Sequence, residues 1–123
     1  MENLISLQGI VQKGMNRGKK MGFPTMNFPI NQTIPEGIYI SLVEIRKKRY
    51  NGLTFIGAAK TFNETNYKAE VYVLDFNQDV YGEIVKVTLL KKLRDNQKFA
   101  TELELVAQME KDKEQAEEYF KNK

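Results

Sequence analysis

The run Gly37-Ile38-Tyr39-Ile40-Ser41-Leu42-Val43-Glu44-Ile45, followed by a basic stretch, Tyr50-Asn51-Gly52 and then Leu53 to Ala59, decides the fold. β-Branched and aromatic residues dominate both runs, and such side chains fit a pleated, half-buried surface. Asn-Gly between β-prone runs is a hairpin signal. It predicts a turn at Asn51-Gly52 with Leu53 to Ala59 returning as the partner strand. The preceding Arg46-Lys47-Lys48-Arg49 reads as a solvated turn, with a surface patch for a polyanion as the functional alternative.

Outward from this hairpin the period of two recurs. Ile5, Leu7 and Val11 alternate with Ser6, Gln8 and Gln12. Ala69 to Phe76 sets Val71 and Val73 on one face, with Glu70, Tyr72 and Leu74 on the other. Glu83 to Leu90 alternates Val85, Val87 and Leu89 against Lys86 and Thr88, and Gln78-Asp79 before Tyr81-Gly82 supplies the turn between these two strands. After Leu93 the pattern becomes helical: Thr101 and Glu104 form a capping box, and Leu103, Val106, Ala107 and Met109 an apolar stripe. Asp112 to Phe120 continues this helix or starts a second short one, with Ala116 and Phe120 facing inward. Strands first and helix last indicate one domain over residues 1–123, a small, mostly antiparallel β-barrel under C-terminal helical cover.

Composition narrows the chemistry. The 123 residues contain no cysteine and no histidine, which removes thiol catalysis, disulfides, the usual zinc sites and imidazole acid–base chemistry together. A net charge of +3 is too small to imply nucleic-acid binding. No run approaches the ~18 apolar residues of a membrane span and no leading segment resembles a signal peptide, so a cytoplasmic protein without membrane partners is expected.

The stretch Gly9 to Asn27 joins a strand to a basic glycine loop and then to oxygen ligands. Gly14, Gly18 and Gly22 would let the backbone approach an anion, while Lys13, Arg17, Lys19 and Lys20 bring positive charge with no acid among them. Thr25 and Asn27, two residues apart, would share a face of an extended segment and could hold a hard cation. The competing reading is a solvated hairpin loop, and the spacing is not that of a Walker loop. Glu70 is the carboxylate singled out, since a rigid strand flanked by apolar and aromatic residues could hold a partly desolvated general base. An exposed strand glutamate is its alternative, and Asp75 and Asp79 are weaker candidates. Arg94 and Phe99 could clamp a planar ligand or serve as ordinary surface and core residues.

Taken together these segments resemble the riboflavin kinase family, the C-terminal kinase domain of bifunctional bacterial riboflavin kinase/FAD synthetase. The resemblance runs through Gly9-Ile10-Val11, Lys13-Gly14, Gly22-Phe23-Pro24-Thr25-Met26-Asn27, Pro35 to Tyr39, Ile56-Gly57, Thr61-Phe62, Glu70 to Phe76, Asp79 to Gly82, Leu93-Arg94 and Lys98-Phe99. It implies a six-stranded antiparallel Greek-key barrel and transfer of the ATP γ-phosphoryl group to the ribityl 5′-hydroxyl of riboflavin, giving FMN. By resemblance, Gly14, Arg17, Gly18, Lys19, Lys20, Gly22, Pro24 and Thr25 contact the nucleotide phosphates, and Thr25 with Asn27 holds Mg²⁺. By the same resemblance Glu70 is the general base, and Arg94 with Phe99 lies near the flavin. The small molecules riboflavin and ATP are the implied partners, with no nucleic acid. No part of the sequence resembles the adenylyltransferase half, so such a domain is expected only as a partner outside these residues, and FAD synthesis is not expected.

Two positions depart from the family pattern: Lys60 stands where a proline usually precedes the threonine, and Tyr72 where a histidine is frequent. The first predicts a less restricted Lys60 to Lys68 segment that orders when nucleotide and flavin bind. Two other readings compete with the kinase: a flavin-binding module impaired in catalysis, and a nucleic-acid-binding barrel.

Overall fold

The computed structural model describes residues 4–12, 22–58, 61 and 67–122. Among these residues the strands are β1 (Ile5–Ile10), β2 (Met26–Pro29), β3 (Gly37–Ile45), β4 (Lys48–Gly57), β5 (Lys68–Val73) and β6 (Ile84–Arg94), and the helix α1 (Glu102–Lys121) follows. All pairings are antiparallel, in the order β1-β6-β3-β4-β5-β2. Gln12 N–H donates to the Asn27 carbonyl at 2.8 Å, which returns the end of β1 to β2 and nearly closes the sheet into a barrel. The spatial run β6-β3-β4-β5 is a Greek key, as expected.

Alternation divides the sheet into two environments. Ala69, Val71 and Val73 of β5 and Val85, Val87 and Leu89 of β6 point into the barrel against Phe28, Val43 and Ile56. Ser41 and Thr54 are fully buried and satisfy each other, hydroxyl to hydroxyl, at 2.8 Å. On the outer face a second apolar layer of Ile38, Ile40, Leu53 and Leu74 meets Ala116 of the helix, with Phe55, Tyr72, Tyr119 and Phe120 around it. Register shifts in the β3–β6 ladder leave Leu90 and Leu93 unpaired, and both pack into this outer layer.

The hairpin forms with its turn inside the basic cluster read as a solvated turn, and not at Asn51-Gly52. Ile45 pairs with Lys48, so Arg46 and Lys47 are the two turn residues, with φ of 52° and 67°. Positive φ at both central positions is the type I′ pattern whose twist matches the flanking strands. Asn51 and Gly52 sit within β4, opposite Leu42 and Ser41. Gly52 is needed there for space, because a Cβ would stand 2.8 Å from the Tyr72 carbonyl oxygen and 2.9 Å from Val43 Cγ2. The Arg46 guanidinium is engaged by the Glu83 carboxylate, with its Nε 2.6 Å from Oε1, and by Gln78 Oε1 at 2.8 Å. That pairing engages Arg46, while Lys47, Lys48 and Arg49 are exposed, as in a solvated turn.

Two further expectations are corrected. The strands β5 and β6 are not hairpin neighbours; residues 74–83 carry the chain past β4 and β3, with turns at 74–75 and 81–82. The tail is one continuous helix whose inward stripe is Leu105, Met109, Asp112, Ala116, Tyr119 and Phe120, while Leu103 is 82% exposed and Ala107 also faces out. Met109, Ala116 and Phe120 are inward as expected, but a buried carboxylate rather than an aliphatic residue occupies the middle of that stripe, and hydrophobicity alone does not find it. Thr101 does cap the helix, accepting from Glu104 N–H at 3.2 Å, but the Glu104 carboxylate takes the Ala100 N–H and not that of Thr101.

Candidate active site

Glu70 lies between Ala69 and Val71, both locked inside the barrel, so its side chain must project from the outer face, where it is half-buried. Its direct neighbours across the ladders are Asn27 on β2 and Phe55 on β4. Opposed residues of an antiparallel pair share a face with Cβ atoms about 4.5–5.5 Å apart, so the Asn27 amide and the Glu70 carboxylate stand side by side. The register continues: Phe55 pairs with Ile38 of β3, and Ile38 with Arg94 of β6. Asn27, Glu70, Phe55, Ile38 and Arg94 therefore form one row across five strands. Three strand spacings, about 14 Å along the sheet, separate the glutamate from the arginine, with an apolar stretch between them.

At the Glu70 end, Asn27 is 9% exposed, and Thr25, half-buried, precedes it by two residues in extended chain. A hydroxyl, an amide oxygen and a carboxylate are hard donors, a set that fits Mg²⁺, which takes few protein oxygens and completes its shell with phosphate and water. Tyr72, two residues beyond Glu70, packs edge-on against Phe23 at 5.4 Å and so holds the Phe23-Pro24-Thr25 segment to β5. Gly22 adopts φ of 89°, a left-handed conformation suited to glycine, and Pro24 is exposed. Gly14, Arg17, Gly18, Lys19 and Lys20 lie outside the described residues, as do Lys13 and Lys60. The stems of that loop are Gln12 and Gly22, and the first is bonded to Asn27. Asp75 and Asp79 stand apart from the row: Asp75 is in the turn after β5, and Asp79 accepts the Tyr81 N–H at 3.0 Å.

At the other end, the Arg94 guanidinium lies over the Phe99 ring, 5.7 Å from its centroid. It is also gripped by Asp112, which is 3% exposed: Nε is 3.0 and 3.2 Å from the two carboxylate oxygens and Nη2 is 2.8 Å from Oδ2. Gln108 donates to the same carboxylate at 3.1 Å. The connection after Arg94 is tied to its surroundings, since Asn96 Nδ2 donates to Glu36 Oε1 at 2.9 Å and to the Ala58 carbonyl at 3.1 Å, and Phe99 N–H donates to Thr61 Oγ1 at 3.1 Å. The hydrogen bond between Lys92 and Asp95, 2.7 Å, raises the lysine pKa and lowers that of the aspartate. Nearby, burial raises the pKa of Tyr39, whose hydroxyl donates to the Pro35 carbonyl at 2.6 Å.

Asp112 and Gln108 were not legible as site residues. An acid at helix position 112 looks solvated until the helix is docked, and the one available signal is that it falls at i+4 from Gln108 and i−4 from the inward Ala116.

Comparisons with known proteins bear on the family and the fold. The riboflavin kinase family model matches residues 1–120. The bifunctional riboflavin kinase/FMN adenylyltransferase of Bacillus subtilis is 40% identical over 122 residues, covering 94% of this chain and 39% of that protein. Its Escherichia coli counterpart is 34% identical over 118 residues, covering 94% and 38%. The chain thus spans about two fifths of the length of these relatives. A crystal structure from Streptococcus pneumoniae, described as a macrolide-efflux protein, superposes with a TM-score of 0.79 at 36% identity, covering 90% of this chain and 38% of that one. No helix among the described residues is long and apolar enough to cross a membrane. With the Greek-key barrel and a family match over nearly its whole length, the chain belongs to the riboflavin kinase family.

Proposed function

We propose that this chain transfers the γ-phosphoryl group of ATP to the ribityl 5′-hydroxyl of riboflavin, forming FMN and ADP. The row Asn27-Glu70-Phe55-Ile38-Arg94 carries the reading. It supplies a carboxylate beside oxygen ligands at one end, an aromatic–guanidinium pair at the other, and an apolar floor between, which suits a fused-ring substrate with a polyol tail. The ring would lie toward Arg94 and Phe99 and the tail would run toward Glu70. There the Glu70 carboxylate takes the hydroxyl proton as the oxygen bonds to the γ-phosphorus. The bond from that phosphorus to the β–γ bridging oxygen breaks, and ADP leaves with the electron pair.

Thr25 and Asn27 would hold Mg²⁺, which when bound neutralises phosphate charge. The glycine loop Gly14 to Gly22, with Arg17, Lys19 and Lys20, would wrap the phosphates, and Pro24 would fix the approach to Thr25. An adenylyltransferase domain like that named in the relatives is a proposed partner. Carboxylates and oxygen ligands suffice for this chemistry, which accords with a chain lacking histidine and cysteine.

The test is direct. Purified protein with riboflavin and Mg-ATP should give FMN on chromatographic separation, and Glu70→Gln should retain the fold and flavin binding while turning over roughly 10²-fold more slowly, the usual loss of a positioned base. No FMN from the wild type would refute the function; near-wild-type turnover by the variant would remove Glu70 from its role.

A further inference from the structure

We infer that Asp112 is a positioning residue for flavin recognition: from the helix it fixes the guanidinium of Arg94 over Phe99, so that the arginine is aimed before substrate arrives. This rests on the reading that Arg94 faces the flavin. The carboxylate is nearly inaccessible, at 3% exposure, and stands in the middle of the inward helical stripe, one turn before the fully buried Ala116, a position at which aliphatic side chains are usual. A buried ion pair is a poor source of stability, because desolvation of both charges consumes most of its attraction, and apolar replacements of similar volume are often as stable. What such a pair does supply is a fixed orientation.

The geometry is that of orientation. Asp112 takes the Nε–H and one Nη2–H of Arg94, the side-on edge of the guanidinium, and the Asp95 carbonyl takes one Nη1–H at 3.3 Å. A guanidinium has five N–H donors, so among the described residues one on each terminal nitrogen remains. Those two belong to neighbouring nitrogens of a planar group that lies over the Phe99 ring, 5.7 Å from its centroid, a fork suited to a polar edge of a flat ligand. Gln108, one turn earlier on α1, donates to Asp112 Oδ1 and restrains the carboxylate in turn. The helix thereby acts on the flavin end of the row without touching substrate.

Asp112→Asn, Asp112→Glu and Arg94→Gln should be compared for riboflavin binding by flavin fluorescence, Mg-ADP binding by calorimetry, and steady-state kinetics. The asparagine variant, retaining the size but not the charge, should weaken riboflavin binding and raise its KM by about tenfold or more, the effect of losing one charge-assisted hydrogen bond. Mg-ADP affinity and kcat at saturating riboflavin should stay within about twofold, and the glutamate variant should recover part of the loss. A purely structural role would lower both affinities and stability together, and that outcome, or unchanged riboflavin binding, would overturn the inference. If Arg94→Gln itself leaves riboflavin binding intact, the flavin-side reading fails; if Arg94→Gln weakens it and Asp112→Asn does not, only the positioning role fails. Should the variants not fold, the wild type still decides. With Arg94 held in advance, its Nη protons should give separate resonances without ligand, and motionally averaged signals would refute preorganisation.

Discussion

Replacing Gly9 by alanine tests the link between barrel packing and the site. Gly9 lies on β1 opposite Val85, on the inward face between Leu7 and Val11. A Cβ there would stand 2.8 Å from Phe28 Cγ and 2.9 Å from Phe28 Cβ, and closer still to Cδ2. Phe28 is 1% exposed, so its ring has no free space to rotate into, and relief must come from moving β1 or β2. Overpacking of this kind costs about 1–3 kcal/mol, while the entropy alanine removes from the unfolded chain returns roughly 0.4–1 kcal/mol. A net loss of about 1–2 kcal/mol is expected, which in a chain of this size lowers Tm by roughly 5–10 °C. Because Phe28 follows Asn27 directly, the same displacement should shift Asn27 against Glu70 and reduce turnover. Urea unfolding of Gly9→Ala, Phe28→Leu and the double variant closes a cycle, and the smaller, ringless leucine, free to choose another rotamer, should relieve part of the clash, giving a coupling of about 1 kcal/mol or more. A Gly9→Ala loss under about 0.5 kcal/mol, or strictly additive single effects, would refute the contact.

Other expectations follow from single features. Thr25→Ala with Asn27→Ala should abolish measurable Mg-ADP binding by calorimetry while riboflavin binding persists; unchanged nucleotide affinity would mean that the metal is held elsewhere. The hydrogen bond from Arg46 lowers the Glu83 pKa, so the folded state holds this proton less tightly than the unfolded chain. The resulting stabilisation is present above the ordinary glutamate pKa and lost as pH falls through the lowered one, so Glu83→Gln should lose stability at neutral pH and flatten the acid side of the melting profile; parallel profiles would contradict this. Lys47→Gly should stabilise the hairpin by up to about 1 kcal/mol by relieving a left-handed side chain. Gly52→Ala should cost about 1 kcal/mol or more by crowding. The opposite ranking in urea unfolding would restore Asn51-Gly52 as the turn.

Period-two alternation finds the longer strands, because inward and outward positions on β5 and β6 differ sharply in polarity, but it does not single out the four-residue β2 or the first half of β4. The basic cluster is legible as a turn, but Asn51-Gly52 misleads: type I′ geometry is imposed on Arg46-Lys47 by the pairing of the strands, while Gly52 is there to admit the Tyr72 carbonyl and Val43. On the helix, Met109, Ala116 and Phe120 are legible as inward residues and Asp112 is not: once it is paired with Arg94 the charged position becomes an inward one, and hydrophobicity cannot register a partner 18 residues away. Among site residues, Thr25, Asn27 and Glu70 were visible as types, yet nothing local to positions 27, 38, 55, 70 and 94 reveals that they share a row. That fact lies in the register of four ladders.

The short closing strand makes the fold and the site a single event. Met26 and Phe28 enter the barrel, Pro29 ends the pairing opposite Lys68, and Asn27 between them can only face outward. A slip of one residue would drive the Asn27 amide into the apolar interior and expose Phe28, losing both core burial and the neighbour of Glu70. Four residues give β2 few ladder bonds of its own, so its hold depends on the buried Phe28 ring and on the Gln12–Asn27 bridge. Any change that loosens Phe28 should therefore reach the chemistry before it unfolds the barrel: activity would fall at urea concentrations where the β3–β4 hairpin and the helix still stand.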